Sequence, residues 1–568
     1  MGSSRSVGIR RVYARKVGGA LLVGAVLLAT AVTAGAQPAP EAATGSPGGQ
    51  SAPGGGAALA TGRAVEASPA DGATAPAAND TRSATPPLGD YTPEAYRAAK
   101  ARAQQADVPE AAVGSALRLD AGVGKAGQPA APTLSLQWGS FPFTGWNPPD
   151  AQVAVGPSNG VAAVNGGVKV FSKTGSQSAS WSLESFFPAT ARCGTSSCPS
   201  GTTTFDPWVI YDSLSGRFVV LALARNATTK LSRIVLAVSK TSTASTSTSG
   251  WWMYGLDAKL RGNTSVEDWL DYAKVGVTNN ALVITGNQFN WSNSFVTSKI
   301  KVLWKSQIYN GVSSVNWYDF WNLNGSPFGV HPASSSVSST TAYLVNTDSS
   351  GSTQLKLRTL AIPTTTPGTP TLSAQIARTV SAYSTPPDAR QPGSSTRIDT
   401  GDSRVTMAVR SAAGIFAVHT TSCTWSGVAE ARSCIRYYQI DPGTLSVTKW
   451  GGLGNRDFFY SYPAVAADSS GGIVVPFQYS GATAYMSNRY TARAGTETSL
   501  QNSSPLGTGT GCFVRLGADG RNRQGDYSGA SYDASTKKFW VMGEHSSGTS
   551  STCSNNTWTT RIGVVNAP

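Results

Sequence analysis

The chain has 568 residues, of which 40% are apolar and only 13% charged, with a formal net charge of +14. Soluble domains average about 25% charged residues, so this surface must be covered by Ser, Thr, Asn, Gln and Gly instead. Its 61 Gly and 32 Pro argue against a helical bundle or coiled coil, and its 15 Trp and 19 Tyr exclude a wholly disordered chain.

The first 36 residues read as an export signal. Arg5, Arg10, Arg11, Arg15 and Lys16 precede an apolar run from Gly18 to Val32, and Ala34-Gly35-Ala36 fits a small-residue cleavage site. The apolar run is too short and too rich in Gly and Ala for a stable membrane span. Arg10-Arg11 leaves twin-arginine export open beside the general route. Cleavage near Ala36 gives a secreted, extracellular chain whose net charge falls from +14 to +9, because five basic residues and no acidic ones leave. No dense Lys/Arg stripe interleaved with aromatics follows, so no nucleic-acid partner is expected.

Residues 37–133 read as a linker or pro-region, disordered where Ala, Gly, Pro, Ser and Thr dominate, as they do to about residue 88. A short helix is expected near 93–105, with Thr92 as cap, Pro93 at its first position and Glu94 at the positive end of its dipole.

From 134 to 568 the pattern changes to short β runs punctuated by turn residues. A landmark recurs at Asp150, Asp206, Asp271, Gly329 (in degraded form), Asp402, Tyr462 and Asp526, with spacings of 56, 65, 58, 73, 60 and 64 residues. Such a period predicts an all-β fold, a β-propeller of seven four-stranded blades in which stacking covers each sheet's faces. The six cysteines fall into neighbouring pairs, 193/198, 423/434 and 512/553, and predict three loop-closing disulfides. With three His and no CxxC or HExxH pattern, a zinc site is not expected.

If the landmark opens each innermost strand, its carboxylates converge on one mouth of the axial channel. They could then bind Ca²⁺, form an acid/base pair with one raised pKa, or cap their own turns. No other cofactor is expected, and the metal is left open.

Several segments carry a resemblance. PPDAQVAVGP (Pro148–Pro157), DPWVIYD with GRF (Asp206–Phe218), IDTGDSR (Ile398–Arg404), SYPA (Ser461–Ala464) and GDYSG…FW (Gly525–Trp540) are similar to a largely uncharacterised family of exported bacterial proteins described as sialidase-like or BNR-type β-propellers. The resemblance covers about residues 135–568 and implies the propeller fold without implying catalytic residues. It has departures. The family's Arg-Trp-Gly-Asp-Tyr is Arg523-Gln524-Gly525-Asp526-Tyr527 here, and no S-x-D-x-G-x-T-W box is intact, Thr347–Thr353 being a distant echo.

Among residues for chemistry, Asp206, Asp271, Asp402, Asp526 and Glu544 are the candidate catalytic carboxylates, with Tyr527 as a phenolic partner or nucleophile. Arg404 and Arg523 could pair with the landmark carboxylates or grip an acidic sugar. Trp317 and Trp321, read as a loop, could stack on sugar rings, and His419 at a strand end could act as a base. The leading reading is a glycoside hydrolase or lyase acting on extracellular polysaccharide. The alternatives are a non-catalytic glycan- or envelope-binding propeller and a structural or protein-interaction propeller. A monomer is expected.

Overall fold

The computed structural model describes residues 56–63, 93–105, 117–120, 129–548, 553 and 557–568. The expected export signal lies outside them. No helix among them is long and apolar enough to cross a membrane.

Seven antiparallel sheets of four or more strands follow one another along the chain, and strand order within each is close to sequential. Their innermost strands are Gln152–Val155, Thr203–Asp212, Asp268–Val277, His331–Pro332, Val405–Ser411, the broken pair Phe458–Ser461 and Ala466–Ala467, and Gly529–Asp533. Each of these touches the innermost strand of the sheets before and after it, and the seventh touches the first. The ring is therefore closed: the fold is a β-propeller. Five blades carry an unbroken innermost strand, and that of the sixth is interrupted between Ser461 and Ala466. The fourth keeps only His331–Pro332 paired to Leu344–Val345 and continues as Ser334–Ser335, which pairs in parallel with the next blade. Its Ser-rich sequence, SSSVSS, offers little β propensity, which is why the repeat is degraded there.

The landmark period has a backbone cause. Before or within each innermost strand one residue has a positive φ: Asp150, Asp206, Tyr272, Gly329, Gly401, Tyr462 and Gly525. Each coincides with a sequence landmark or lies beside it. The left-handed residue turns the chain sharply down the channel, a conformation that disfavours side chains bearing a Cβ and is retained where surrounding bonds over-determine it. These seven turns mark one mouth, here called proximal. The opposite, distal mouth carries the hairpins that lead to the second strands. There Asp212, Asp468 and Asp533 cap their turns, accepting backbone N–H bonds from Leu214, Ser470 and Ser535 at 2.8–3.1 Å.

The seventh blade is closed by the N-terminal part of the chain: Leu134–Pro142 pairs with Trp558–Asn566. Trp138 on that strand meets Trp540 edge-on at 5.3 Å and Phe171 of the first blade at 5.8 Å. Other pieces of the 37–133 region are docked rather than free. Gly56–Arg63 extends the third blade beside Ser314–Trp321, and Leu117–Leu119 extends the fifth beside Gly452–Gly454.

Cys193–Cys198, Cys423–Cys434 and Cys512–Cys553 are disulfide-bonded, and no cysteine is free among the described residues. Their loops span 5, 11 and 41 residues. Chain entropy then predicts unequal contributions, about 2, 3 and 4 kcal/mol respectively. Paired Ala substitutions followed by urea denaturation should rank them in that order.

Candidate functional site

At the proximal mouth the landmark residues do converge, but into a buried network. Asp150 accepts a bond from the Asp526 backbone N–H at 2.8 Å and another from Asn165 Nδ2 at 2.8 Å. Asn165 Oδ1 in turn accepts the Asp206 N–H at 2.8 Å, tying the first two blades to the seventh. The Arg523 guanidinium pairs with Asp526, and Gln478 of the sixth blade donates to Glu544. Gly525 passes so close to these groups that a Cβ there would collide with Glu544 Oε1 and Gln478 Nε2. Buried among the carboxylates is Lys274, whose Nζ lies 3.5 Å from the Tyr527 ring centre and 3.7 Å from that of Tyr272.

Burial dominates the electrostatics. It pushes the carboxyls of Asp150, Asp206, Asp271 and Glu544 upward, and their mutual repulsion, together with that of Asp526, adds to the shift. Burial also lowers the Lys274 ammonium to about 7, against the pull of Asp206, Asp150, Asp526 and Asp271. The Tyr527 phenol is raised well above its usual value, first by burial and then by Asp206. Its ring is wedged edge-on against Trp208 at 5.5 Å and lies 5.3 Å from Tyr272. A protonated, buried phenol is a poor nucleophile. Asp271 Oδ1 and Glu544 Oε2 are buried with no hydrogen-bond partner. No three His, Cys, Asp or Glu side chains among the described residues are arranged to hold a metal ion, so this geometry gives the Ca²⁺ reading no support.

The remaining candidates are placed as follows. Asp402 accepts the Arg404 backbone N–H at 2.9 Å and its Nε at 2.7 Å, so that carboxylate and guanidinium lock one turn. Arg523 is likewise committed to Asp526. Trp317 and Trp321 are not on a loop, and this is a correction: WYDFW lacks any breaker and forms part of the outermost native strand of the third blade, Ser314–Trp321. Trp317 is buried, its Nε1 donating to Asp319 at 3.1 Å. His419 is also corrected. It lies in the second strand of the fifth blade, fully buried, 5.6 Å from the parallel ring of Tyr438, with Nε2 3.1 Å from that hydroxyl. Burial and Arg436 lower it to about 3, so it is neutral and out of reach of a substrate.

Beside this network sits the helix Pro93–Gln105, whose Tyr96, Ala99, Lys100 and Ala103 share one buried face at helical spacing. Tyr96 donates to Asp399 Oδ1 at 2.9 Å and to the Gly401 carbonyl at 3.1 Å. Lys100 donates to the Pro386 carbonyl at 3.0 Å and to Thr400 at 2.9 Å, and meets Asp388 at 3.0 Å. Burial alone would raise Asp399, but Arg521 at 2.5 Å and Lys100 hold it well below the usual carboxylate range. The helix thus helps cover the proximal mouth. Tyr96→Phe should loosen it by about 1 kcal/mol, read as roughly fivefold faster proteolytic release of the N-terminal segment.

The distal mouth is different. A cavity of about 400 Å³ runs up the channel from the hairpin turns and ends against Trp208, His331 and Met407. Its walls mix aliphatic side chains such as Val209, Ile210 and Val409 with serines from the second, fourth, sixth and seventh blades. Its only charged lining residues are Arg410 and Lys537; no carboxylate lines it. Lys274, Arg410 and Lys537 are not among the residues that the sequence singles out. Lys274 and Arg410 had a signal, each being a cation inside an otherwise apolar innermost strand, in AKVGV and MAVRS. Lys537, in a polar turn, had none.

No protein-family model matches the sequence, and no curated protein matches it. Among solved structures, the endosialidase of phage phi92 is similar at 7% identity and a TM-score of 0.33, over 74% of this chain and 67% of that one. The Dos1 propeller matches at 9% identity and 0.31, over 76% and 95%. The Trypanosoma rangeli sialidase matches at 10% identity and 0.29, over 63% of this chain and 54% of its own, so the match spans about half its length. Likeness at these scores assigns no activity, substrate or residue to this chain.

Proposed function

We propose that this protein is an exported β-propeller that binds extracellular polysaccharide through the distal end of its axial channel and does not cleave it. One observation carries this reading: the candidate carboxylates are buried or partly buried at the proximal mouth, whereas the open distal cavity is lined by serine, aromatic and aliphatic side chains and has no carboxylate. A glycosidase needs two carboxyl groups flanking the scissile bond. A sugar-binding pocket needs hydrogen-bonding groups and apolar walls, in a volume of about 300–1,000 Å³. Export is supported by the three disulfides and by the signal-like first 36 residues.

The hydrolase reading has one observation in its favour. Asp402 and Asp526 share the lining of a second cavity with Arg404 and Tyr272. That cavity holds about 30 Å³, room for a water molecule and not for a sugar ring. The two readings separate in one experiment. The protein is incubated with plant, fungal and bacterial polysaccharides, and co-sedimentation, new reducing ends and unsaturated uronate ends are followed together. The expected result is retention on at least one polysaccharide with neither product. Products that disappear in Asp526→Asn would restore the hydrolase reading.

A further inference from the structure

Resting on the binding reading above, we propose that the distal cavity selects an anionic sugar, a uronate or sulfated residue at the end or on a branch of an acidic polysaccharide. Charge is the first reason. Both ionic groups of the lining, Arg410 and Lys537, are cationic, and neither forms an ion pair with a carboxylate among the described residues. A low-dielectric cavity carrying one sign of charge favours an anionic ligand.

The second reason is unmet hydrogen bonding. Arg410 has its guanidinium 4.8 Å from the Tyr343 ring centre, yet its Nε and Nη1 are buried without any acceptor. Each of these unmet N–H donors, carried on a cation, calls for an anionic oxygen of a carboxylate or sulfate. At the cavity's inner end His331, 1% exposed, supplies the complementary group. Its Nδ1 lies 3.1 Å from the Pro332 carbonyl and must be the N–H donor there. Burial and the nearby Lys274 lower its pKa to about 3, so the ring is neutral and Nε2 carries a lone pair. That Nε2 has no partner in the protein and is free to accept a hydrogen bond from a sugar hydroxyl. A site with a cationic donor, a neutral acceptor and serine hydroxyls recognises a polyol bearing an acid group, which is what a uronate or sulfated sugar is.

Shape supplies the third reason. Trp208 closes the inner end, braced edge-on by His331 at 5.4 Å and Tyr527 at 5.5 Å. A blind cavity admits a terminal or branch residue and excludes the middle of a continuous chain.

The test is calorimetric titration of the full-length secreted protein with galacturonate and sulfated-galactose oligosaccharides, and with cello- and laminari-oligosaccharides as neutral probes. The expected result is binding of an acidic series, weakened by added salt, with neutral series bound about ten- to a hundredfold more weakly. Arg410→Gln should remove most of that preference, and Ala534→Trp, on an exposed turn at the rim, should block access without burdening the fold. Equal binding of neutral and acidic oligosaccharides would overturn the anionic selectivity while leaving polysaccharide binding intact. Binding by none of them would overturn both. Acidic binding unchanged in Arg410→Gln and Ala534→Trp, with unaltered melting curves, would place the ligand elsewhere and overturn the assignment of the cavity.

Discussion

Trp540→Ala will lower the stability of the propeller by about 3–5 kcal/mol, measured by equilibrium denaturation in urea. Trp540 is 1% exposed on the second strand of the last blade. It packs on Trp138 of the closing strand, and Gly160 of the first blade is small enough to receive it; a Cβ there would come within 2.7 Å of the ring. The indole therefore joins three parts of the ring: the last blade, the first blade and the N-terminal strand that closes the circle. Removing it leaves a cavity between blades whose backbones are held by their own ladders and cannot collapse to fill it. Leu516→Ala, at a residue 57% exposed, serves as the control and should change stability by less than about 0.5 kcal/mol. A loss below about 1 kcal/mol for Trp540→Ala would contradict closure through this contact.

The second large effect concerns Lys274. Lys274→Met should destabilise by about 3 kcal/mol near pH 6, below the value of about 7 at which the ammonium is held, because it strips the buried carboxylates of their central cation. Asp271→Asn should do the opposite and raise the melting temperature at that pH, since the amide takes the place of a carboxyl that is costly to ionise there. The sign follows from linkage. Burial raises Asp150, Asp206, Asp271 and Glu544 in the folded chain, so their stabilising contribution is full below their unfolded values and is lost as pH rises through the folded ones. Asp399 runs the other way: held low by Arg521 and Lys100 despite its burial, it contributes above its unfolded pKa and loses that contribution as pH falls below about 4. Lys274, lowered to about 7 by burial, loses stability as pH drops from its unfolded value towards 7. The carboxyls outnumber it, so maximal stability is expected at about pH 4–5 rather than near neutrality. Melting curves from pH 3 to 9 for the wild type, Lys274→Met and Asp271→Asn check this directly, and the Asp271→Asn advantage should vanish towards the acid end.

The propeller was legible because its period is written in backbone necessity. A left-handed residue at the head of each innermost strand leaves Asp, Gly or a following turn residue at nearly fixed spacing, and the sequence landmarks fall on those positions or next to them. The fourth blade read as degraded because its innermost strand is two short pieces, His331–Pro332 and Ser334–Ser335, in a serine-rich stretch. The cysteine pairs were legible from proximity alone. The convergence of Asp150, Asp206, Asp271 and Asp526 also followed from the ring, but their roles did not. Whether an Asp at a mouth is open or buried depends on which aromatic rings fill the axis, and the Trp208–Tyr272–Tyr527 packing comes from three different blades. Trp317 misled for a related reason: an aromatic run suits a glycan-stacking loop and an outer strand equally well, and only register decides. The distal site escaped notice because its elements, His331, Arg410 and a set of serines, are ordinary residues until ring closure brings them around one cavity.

The central claim is that the distal mouth, and not the proximal carboxylate network, is the functional face. Hydrogen–deuterium exchange of the protein with and without a bound acidic polysaccharide tests it most directly. Protection should appear in the distal segments around Ser213, Ser334–Ser336 and Ala534–Lys537, with no change at 399–404 and 525–528. Protection confined to those proximal segments would contradict the account.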